Sequence, residues 1–475
     1  MSNESALGGL PQLAGKHIHF IGIGGSGMSG IARIMLSSGL VISGSDVKDS
    51  AITQSLSKLG ANIFIGHDAS NVAGADIVIT SGAISGNNAE VAAAREKGLT
   101  IITRAEALAI LMHGKRSVAV AGTHGKTTTT SMLTVALQNA GVDPSFAIGG
   151  LINSSGVNAH LGSGDIFVAE ADESDGSFTA YHPLGAIITN IELDHVDHFA
   201  TLEDLYKVFE EFVETIQSGG FLVACTDDEG VNELLRRIKR TDIEIIGYGE
   251  KESDFTISRI SLQPKGSYAR IAKTGKVLPE LQLTVPGLHN IFNATAALAA
   301  ADKLGANTTE ILKGLETFSG SRRRFEKKGE IGGVTVIDDY GHHPTEIRVT
   351  LETARAYAAP GRVLVAFQPH RFTRTQAFAP DFAKALEIAD HAFVLEIYPA
   401  SETPIPGVTS QLITQSSGTK TVEYEPSMLA VVEKLLQSAK PGDVIMTLGA
   451  GDVNSLAPVI VDALRERLEH NQPNA

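Results

Sequence analysis

Residues 117–128 read SVAVAGTHGKTT, an apolar run followed by a glycine-containing loop and the first residues of a helix. This order is typical of a phosphate-binding P-loop, in which backbone N–H groups and a lysine hold nucleotide phosphates while a hydroxyl group ligates Mg²⁺. The spacing departs from GxxxxGK[ST], because Val120 stands where the first glycine belongs. An ordinary strand-to-helix turn is the alternative, although four consecutive threonines do not favour a helix. The predicted phosphate-binding residues are Gly122, Thr123, Gly125, Lys126, Thr127 and Thr128, with Thr127 as the Mg²⁺ ligand.

Outward from this loop, short apolar runs alternate with helical stretches along most of the chain. This rhythm predicts an α/β fold built on parallel sheets. Because 475 residues exceed what one hydrophobic core organises, we predict three domains, over residues 1–115, 116–321 and 322–475. Between residues 251 and 285 the pattern shortens and alternates, with Gly266 and Gly275 as turn signals. A small antiparallel patch on the central domain is therefore expected.

A second glycine-rich loop, GIGGSG at residues 22–27, follows an apolar run near the N-terminus. Its glycines let the backbone approach a pyrophosphate, and the next helix stabilises the charge through its N-terminus. Asp46, about twenty residues further on, can accept a hydrogen bond from a ribose hydroxyl. The motif fits NAD or FAD, another nucleotide diphosphate, or a purely structural turn. The candidate residues are Gly22, Gly24, Gly25, Gly27 and Asp46.

Acidic and histidine-containing segments follow two further apolar runs. Residues 170–175 read EADESD, and residues 190–198 read NIELDHVDH. Because the carboxyl ends of parallel strands meet at one edge of a sheet, these segments could deliver carboxylate and imidazole ligands to one Mg²⁺ beside the P-loop. Either segment alone is more often a solvated loop, but their joint occurrence favours a metal site.

Two segments of the last domain, DDYGHHP at residues 338–344 and QPHRFTR at residues 368–374, also end apolar runs. Arg371 and Arg374 could clamp a carboxylate or phosphate, and His342 or His343 could hydrogen-bond a reacting group. Zinc binding by the tandem histidines is the alternative. It is disfavoured here, because no cysteine or further histidine stands at zinc-site spacing.

Composition excludes several classes of protein. With 54 acidic and 39 basic residues, the formal net charge of −15 repels nucleic acid. A single cysteine, Cys225, excludes an internal disulfide framework and fits a reducing compartment. The segment 1–12 lacks the features of a signal peptide, and no uncharged stretch reaches membrane-spanning length. We therefore expect a soluble cytoplasmic protein without membrane insertion.

Taken in order, the motifs resemble the Mur ligases of peptidoglycan synthesis, and within them the alanine-adding branch. The resemblance spans nearly the whole chain and also includes PGLHN at residues 286–290 and RRFE at residues 323–326. It implies an N-terminal Rossmann-like domain that binds UDP, a central P-loop ATPase domain and a Rossmann-like C-terminal domain. It assigns metal binding to Glu170 and His195 beside Thr127, and the reacting centre to His342, Arg371 and Arg374. The nucleotide contacts that it implies are His289, Asn290, Asn293, Arg324, Asp339 and Tyr340.

The activity implied by the resemblance is an ATP-dependent ligation. The lactyl carboxylate of UDP-N-acetylmuramate would be activated as an acyl phosphate with the help of Mg²⁺, and the amine of L-alanine would attack it. We further expect a monomer or weak homodimer, with Arg371 or Arg374 orienting the alanine carboxylate. The alternatives are a related ligase that reattaches recycled tripeptide, a nucleotide sensor and an oxidoreductase. The loop at residues 22–27 favours the biosynthetic branch over the recycling ligase.

Overall fold

The computed structural model describes residues 8–82 and 84–470, which form three open α/β sheets in chain order. The first sheet is wholly parallel, with the strand order β3-β2-β1-β4-β5. Its strands are β1 (His17–Ile21), β2 (Val41–Asp46), β3 (Asn62–Ile65), β4 (Ile77–Thr80) and β5 (Thr100–Thr103). Its helices are α1 (Ser26–Ser37), α2 (Ala51–Lys58), α3 (Ala89–Glu96) and α4 (Arg104–Met112).

The central sheet has eleven strands and combines a parallel core with antiparallel ends. Its first six strands are β6 (Arg116–Ala121), β7 (Ser145–Ala147), β8 (Ala159–His160), β9 (Ile166–Glu170), β10 (Gly185–Ile188) and β11 (Phe221–Cys225). The other five are β12 (Glu244–Gly249), β13 (Phe255–Gln263), β14 (Gly266–Lys273), β15 (Lys276–Val277) and β16 (Leu281–Leu283). The helices are α5 (Lys126–Asn139), α6 (Leu202–Glu214), α7 (Glu229–Arg237), α8 (Leu288–Lys303) and α9 (Thr308–Thr317).

The third sheet has six strands in the order β17-β18-β22-β19-β20-β21, of which only the pair β17–β18 is antiparallel. The strands are β17 (Glu326–Ile331), β18 (Val334–Asp339), β19 (Val363–Phe367), β20 (His391–Val394), β21 (Val422–Tyr424) and β22 (Val444–Leu448). The helices are α10 (Pro344–Ala358), α11 (Phe372–Leu386), α12 (Gln411–Ser416), α13 (Met428–Ser438) and α14 (Leu456–His470). Short 3₁₀ helices occupy Leu10–Leu13, Ala69–Val72, Ser177–Ala180 and Asp452–Ser455.

Burial explains why the parallel strands are continuous apolar runs. Val118, Val168 and Val223, on β6, β9 and β11, are all fully buried, because helices cover both faces of the sheet. Polar residues are therefore displaced to the strand ends. The loops after β6, β9, β10, β18 and β19 all carry motifs predicted from the sequence, and the carboxyl ends of these strands become the walls of the candidate site.

The predicted α/β class is confirmed, and so is the antiparallel patch, which consists of β13 to β16. The patch continues the parallel sheet through pairing of β12 with β13. The pattern missed the short edge strand β3, whose side chains are exposed or half-buried and so give no apolar run. None of the described helices combines the length and apolarity needed to cross a membrane. The prediction that the segment 1–12 is not a signal peptide falls largely outside the described residues, since these begin at residue 8.

Candidate active site

The P-loop turn between β6 and α5 depends on two glycines. Gly122 has φ +123°, and a Cβ there would lie 2.2 Å from the hydroxyl oxygen of Thr189. Gly125 has φ +83°, and a Cβ there would lie 2.7 Å from Oδ1 of Asn293. Both positions require a left-handed backbone and leave no room for a side chain. The loop is thus fixed against the strand end of β10 and against α8.

The Lys126 ammonium packs within this loop, and its side chain is only 14% exposed. It donates hydrogen bonds to the carbonyl oxygens of Gly122 (2.7 Å) and Thr123 (3.0 Å) and to Oε1 of Glu173 (2.8 Å). Burial opposes its charge, but Glu173 and Asp172 outweigh that effect and raise the pKa of Lys126. Burial also disfavours the charged form of Glu173, and this raises the pKa of Glu173 to about 7. The Oε2 atom of Glu173 has no hydrogen-bond partner. Glu173 belongs to the acidic segment at residues 170–175, but no separate role for it was predicted from the sequence.

The three predicted Mg²⁺ ligands lie around the same loop. The Thr127 hydroxyl donates to Oε1 of Glu170 (2.9 Å), whose Oε2 accepts from the backbone of Gly149 (2.7 Å). Nε2 of His195 lies 3.7 Å from Oε1 of Glu173. Burial lowers the pKa of His195, so its ring is neutral at neutral pH and can offer a lone pair. Hydroxyl and carboxylate oxygens dominate this donor set, which fits Mg²⁺.

A cavity of about 370 Å³ opens beside the P-loop, between the central and C-terminal sheets. Burial, and then Arg324, lower the pKa of His289 to about 4, and Nδ1 of this ring has no hydrogen-bond partner. Aromatic side chains, including Phe292 and Phe318, make part of the wall apolar. The structure thus brings Thr128 of the predicted P-loop together with most of the residues that were implied to contact the nucleotide, namely His289, Asn290, Asn293, Arg324 and Asp339.

Tyr340 lines a different cavity from the one expected. Its ring stacks under the guanidinium groups of Arg323 and Arg324, at 4.8 and 5.2 Å from the ring centroid. This second cavity, of about 580 Å³, brings together the P-loop and both C-terminal motifs. The predicted residues that line it are Thr123, Gly125, Lys126, Thr127, Glu170, His195, Arg324, Tyr340, His342, Arg371 and Arg374. The reacting-centre residues predicted from separate motifs therefore share one cleft.

The N-terminal glycine loop lines a third cavity, of about 620 Å³, which also reaches Glu170 and His195. Gly25 and Gly27 line this cavity, whereas Gly22, at φ +78°, forms the turn. The carboxylate of Asp46 accepts hydrogen bonds from the backbone N–H groups of Gly24 (2.9 Å) and Lys48 (3.2 Å). Each Asp46 oxygen thus accepts one backbone hydrogen bond and keeps a further lone pair for the ribose hydroxyl that we expect it to bind.

Arg104, which the sequence analysis overlooked, also lines this third cavity. Its guanidinium lies 3.5 Å from Asp172, and its side chain packs beside Gly27. Burial opposes the charge, but Tyr181, Asp172 and further acidic groups raise the pKa of Arg104. An isolated arginine at the start of a helix carries no sequence signal, because its neighbours Gly27 and Asp172 are distant along the chain.

Two arginines of the C-terminal domain are paired with carboxylates of the central domain. Arg374 donates to Asp194 through Nε (2.9 Å), and both side chains are almost fully buried. Arg371 contacts Asp197, and its side chain remains 29% exposed. Burial opposes the charge of Asp194, but Arg374 and neighbouring histidines hold its pKa well below the usual range. These pairs tie the loop after β10 to the start of α11.

A second set of contacts between domains surrounds His124 of the P-loop. Its Nε2 lies 3.1 Å from Oε2 of Glu192, and its Nδ1 lies 3.4 Å from Oε1 of Glu346. Burial disfavours the charged ring, but the two carboxylates outweigh it and raise the pKa of His124 to about 9. Oε1 of Glu192 accepts from the Thr345 hydroxyl (2.7 Å). None of these residues had been assigned a role from the sequence.

The three domains match three successive family models. "Mur ligase family, catalytic domain" matches residues 17–116, "Mur ligase middle domain" residues 120–301, and "Mur ligase, glutamate ligase domain" residues 323–451. Together they cover most of the chain. The chain belongs to the Mur ligase family, as the sequence motifs predicted.

Within this family, the chain is similar to proteins named UDP-N-acetylmuramate–L-alanine ligase. The one from Acidothermus cellulolyticus is 49% identical over 453 residues, which cover 94% of this chain and 95% of that protein. The one from Renibacterium salmoninarum is 48% identical over 450 residues, with 94% and 96% covered. The crystal structure of the UDP-N-acetylmuramate-alanine ligase from Thermotoga maritima superposes with a TM-score of 0.80 at 32% identity, covering 95% of this chain and 100% of that chain.

A murein peptide ligase from Psychrobacter arcticus shares the same architecture at lower sequence identity. Its crystal structure superposes with a TM-score of 0.71 at 25% identity, covering 97% of this chain and 100% of that chain.

Proposed function

We propose that this protein forms an amide between the lactyl carboxylate of UDP-N-acetylmuramate and the amine of L-alanine, at the expense of ATP. The curated relatives with this activity in their names match the chain at 45–49% identity over nearly its whole length. The observation that carries the proposal is the shared cleft. In it, Lys126, Glu170 and His195 of the central domain face Arg371 of the C-terminal domain.

The chain's residues are suited to activating a carboxylate. A carboxylate resists attack by an amine, because its oxygen is a poor leaving group and its charge repels the nucleophile. We assign to Lys126 the stabilisation of the γ-phosphoryl group during its transfer to the lactyl oxygen. Thr127, Glu170 and His195 would hold Mg²⁺, which when bound neutralises phosphate charge. This first half of the reaction gives an acyl phosphate and ADP, and attack by the alanine amine in the second half forms the amide and releases inorganic phosphate and a proton.

The second half requires an amine close to the acyl phosphate and little water. Arg371 is the more exposed of the two predicted carboxylate clamps, so we assign the alanine carboxylate to it. The sugar nucleotide would occupy the third cavity, with its diphosphate near Gly25, Gly27 and Arg104. Ligands from all three domains then enclose the reacting atoms, and closure protects the acyl phosphate from hydrolysis.

The setting of the reaction is a further part of the proposal. We place the protein in the cytoplasm, as a monomer or weak homodimer. The composition supports a reducing compartment, since Cys225 is the chain's single cysteine.

The decisive experiment measures phosphate release by the purified protein with ATP, Mg²⁺ and UDP-N-acetylmuramate. The acceptors compared are L-alanine, L-alanyl-D-glutamyl-diaminopimelate and none. We expect stimulation by L-alanine only. Lys126→Ala should abolish release, whereas Lys251→Ala, an exposed lysine far along the same domain, should not. Stimulation by the tripeptide alone would reassign the protein to recycling, and no release with any acceptor would refute the ligase.

A further inference from the structure

The loop that follows β20 makes a strained turn against the start of α11, where Arg371 lies. The backbone N–H of Glu402 donates to the carbonyl oxygen of Pro399 (2.8 Å), so these two residues delimit the turn. Its central residues, Ala400 and Ser401, have φ +46° and +74°. Turns with positive φ at both central positions normally take glycine, asparagine or aspartate. Strain of this kind persists only where the surrounding structure imposes it, and it is concentrated at ligand sites.

Arg371 is tied to this loop by its own backbone. Its N–H donates to the carbonyl oxygen of Tyr398 (2.8 Å). As the N-cap residue of α11, Arg371 has φ +73°, and its side chain contacts Asp197 rather than capping the helix. The first turn of α11 therefore takes its hydrogen-bond acceptor from elsewhere in the fold. Ala400 and Ser401 line the third cavity together with Arg371, so the loop and the arginine border the same ligand space.

Glu402 supplies the cap that α11 needs. Its Oε2 accepts hydrogen bonds from the backbone N–H groups of Phe372 (2.6 Å) and Thr373 (3.1 Å). Its Oε1 accepts from the Thr373 hydroxyl (2.6 Å) and lies 4.0 Å from Nη1 of Arg371. Free N–H groups and the helix dipole both favour a carboxylate at this position. One carboxylate thus anchors the backbone that carries Arg371 and also attracts its guanidinium.

Arg371 has two acidic neighbours, and their surroundings give them different roles. The Asp197 side chain is 34% exposed, whereas that of Glu402 is 16% exposed. Glu402 is committed to α11 by three hydrogen bonds, so a substrate carboxylate could replace it only by opening the helix end. Displacing Asp197 leaves that end intact. Entry of a substrate carboxylate therefore exchanges Asp197 and retains Glu402.

We propose that Glu402 is a positioning residue for the amino acid substrate, and that it acts by holding Arg371 in the cleft. The inference rests on the proposed function, in which Arg371 binds the alanine carboxylate. Because Glu402 orders the guanidinium before the substrate arrives, less conformational entropy is lost on binding. The strained turn at Ala400 and Ser401 is what places this carboxylate at the start of α11.

The test compares Glu402→Gln with the parent protein in steady-state assays of the ligase. The new amide oxygen can still accept from the N–H groups of α11, but an amide N–H group replaces the oxygen that faces Arg371. We expect the KM for L-alanine to rise about 10-fold, within the range usual for residues that share one network. The kcat and the KM for ATP should change little, since only binding of the amino acid is weakened.

The matched control is Glu387→Gln, at the opposite end of the same helix. Oε1 of Glu387 accepts from the Ser417 hydroxyl (2.8 Å) and from the N–H of Gly418 (2.7 Å), so it too ties a loop to α11. Because Glu387 lies at the far end of the helix from Arg371, its variant should leave the KM for L-alanine unchanged. An equal rise in both variants would assign the effect to a loosened domain and overturn the inference.

A double variant separates positioning from a direct contact with substrate. In Arg371→Ala the arginine that Glu402 holds is gone, so adding Glu402→Gln should raise the KM for L-alanine no further. A second, additive rise would overturn the inference, and so would an unchanged KM in Glu402→Gln alone. An unchanged KM in Arg371→Ala would instead contradict the proposed function at Arg371.

A measurement without substrates keeps the two proposals apart. Phenylglyoxal modifies arginine side chains, and peptide mass spectrometry gives the rate of modification at Arg371. Glu402→Gln should speed this rate severalfold, while Arg322, an exposed arginine of the same cleft, should react at an unchanged rate. Equal rates at Arg371 in the variant and the parent protein would show that Glu402 does not hold it. This result decides the inference even if the parent protein shows no ligase activity.

Discussion

Arg371 and Arg374 are only three residues apart, yet the structure gives them different surroundings. Arg371 is the N-cap residue of α11, with φ +73°, and its side chain is partly exposed to the cleft. Arg374 lies within the helix, where its side chain is 3% exposed and is paired with Asp194. A small anionic substrate can therefore reach Arg371 by displacing Asp197, while Arg374 is already committed to its partner.

At Arg371 we predict an effect on the amino acid substrate. Arg371→Ala should raise the KM for L-alanine about 10- to 100-fold, the equivalent of one lost charge-assisted hydrogen bond. The KM for ATP should change little, because Arg371 does not line the nucleotide cavity. Initial rates over a matrix of both substrates test this. A rise confined to the KM for ATP would show that the assignment to alanine is wrong.

Among the elements, the P-loop turn leads to a prediction about nucleotide binding. Gly122→Ala would place a methyl group within 2.2 Å of the Thr189 hydroxyl oxygen, so the loop must shift. The shift should misalign a loop N–H that binds phosphate, and loss of one hydrogen bond to a charged group corresponds to about a 10- to 100-fold loss in ATP affinity, measured by calorimetry. Gly141→Ala is the matched control, because Gly141 has φ +78° but no atom near its Cβ position. Equal ATP affinities in the two variants would contradict this account of the loop.

A buried carboxylate ties together the elements of the N-terminal domain. Glu90 of α3 is fully buried and accepts hydrogen bonds from Ser45 (2.6 Å), Asn71 (2.7 Å) and His67 (2.8 Å). Burial opposes its charge, but contacts from these groups and from His19 lower the pKa of Glu90 to about 2. The ionised form therefore stabilises the fold.

We predict that Glu90→Gln lowers the free energy of unfolding by roughly 1–3 kcal/mol at neutral pH. Because the folded pKa lies below the ordinary value of 4.5, this contribution is complete above pH 4.5 and is lost as the pH falls towards about 2. Urea unfolding followed by circular dichroism should show the difference from the parent protein shrinking over that interval. Glu96→Gln, at the exposed end of the same helix, should leave the free energy of unfolding unchanged at every pH. A constant difference would argue against ionised Glu90 as its source.

For the whole molecule, we predict that the contact between the central and C-terminal domains weakens with rising pH. The charged His124 ring lies between Glu192 and Glu346, and its pKa is raised from 6.5 to about 9. A raised pKa means that the stabilising effect is complete below pH 6.5 and is lost as the pH rises through about 9. Small-angle X-ray scattering should therefore give a larger radius of gyration above pH 9.

The matched variant for this prediction is His124→Gln. It should be more expanded than the parent protein below pH 6.5 and should lack the transition towards pH 9. His160→Gln should keep the transition, since it removes a histidine outside the contact. A transition of equal size in all three proteins would assign it to other titrating groups.

Much of the molecule could be predicted from its sequence. The strands are buried on both faces, so they appear as apolar runs, and the loops that follow them carry glycines and polar motifs. These local signals predicted the α/β class, the P-loop around Lys126, the glycine turn at Gly22 and the family. The edge strand β3 was not predicted, because its residues are exposed or half-buried and form no apolar run.

The pairing of residues that lie far apart along the chain was decided only by the tertiary structure. His124 is paired with Glu192, which lies 68 residues away along the chain, and with Glu346, which lies 222 residues away. The commitment of Arg374 to Asp194, the use of Asp46 by its own loop and the place of Arg104 beside Gly27 are likewise contacts across the fold. Local sequence determines strands, turns and phosphate loops, because their energies depend on neighbouring residues. Burial, charge pairing and pKa depend on which distant groups the packed domains bring together.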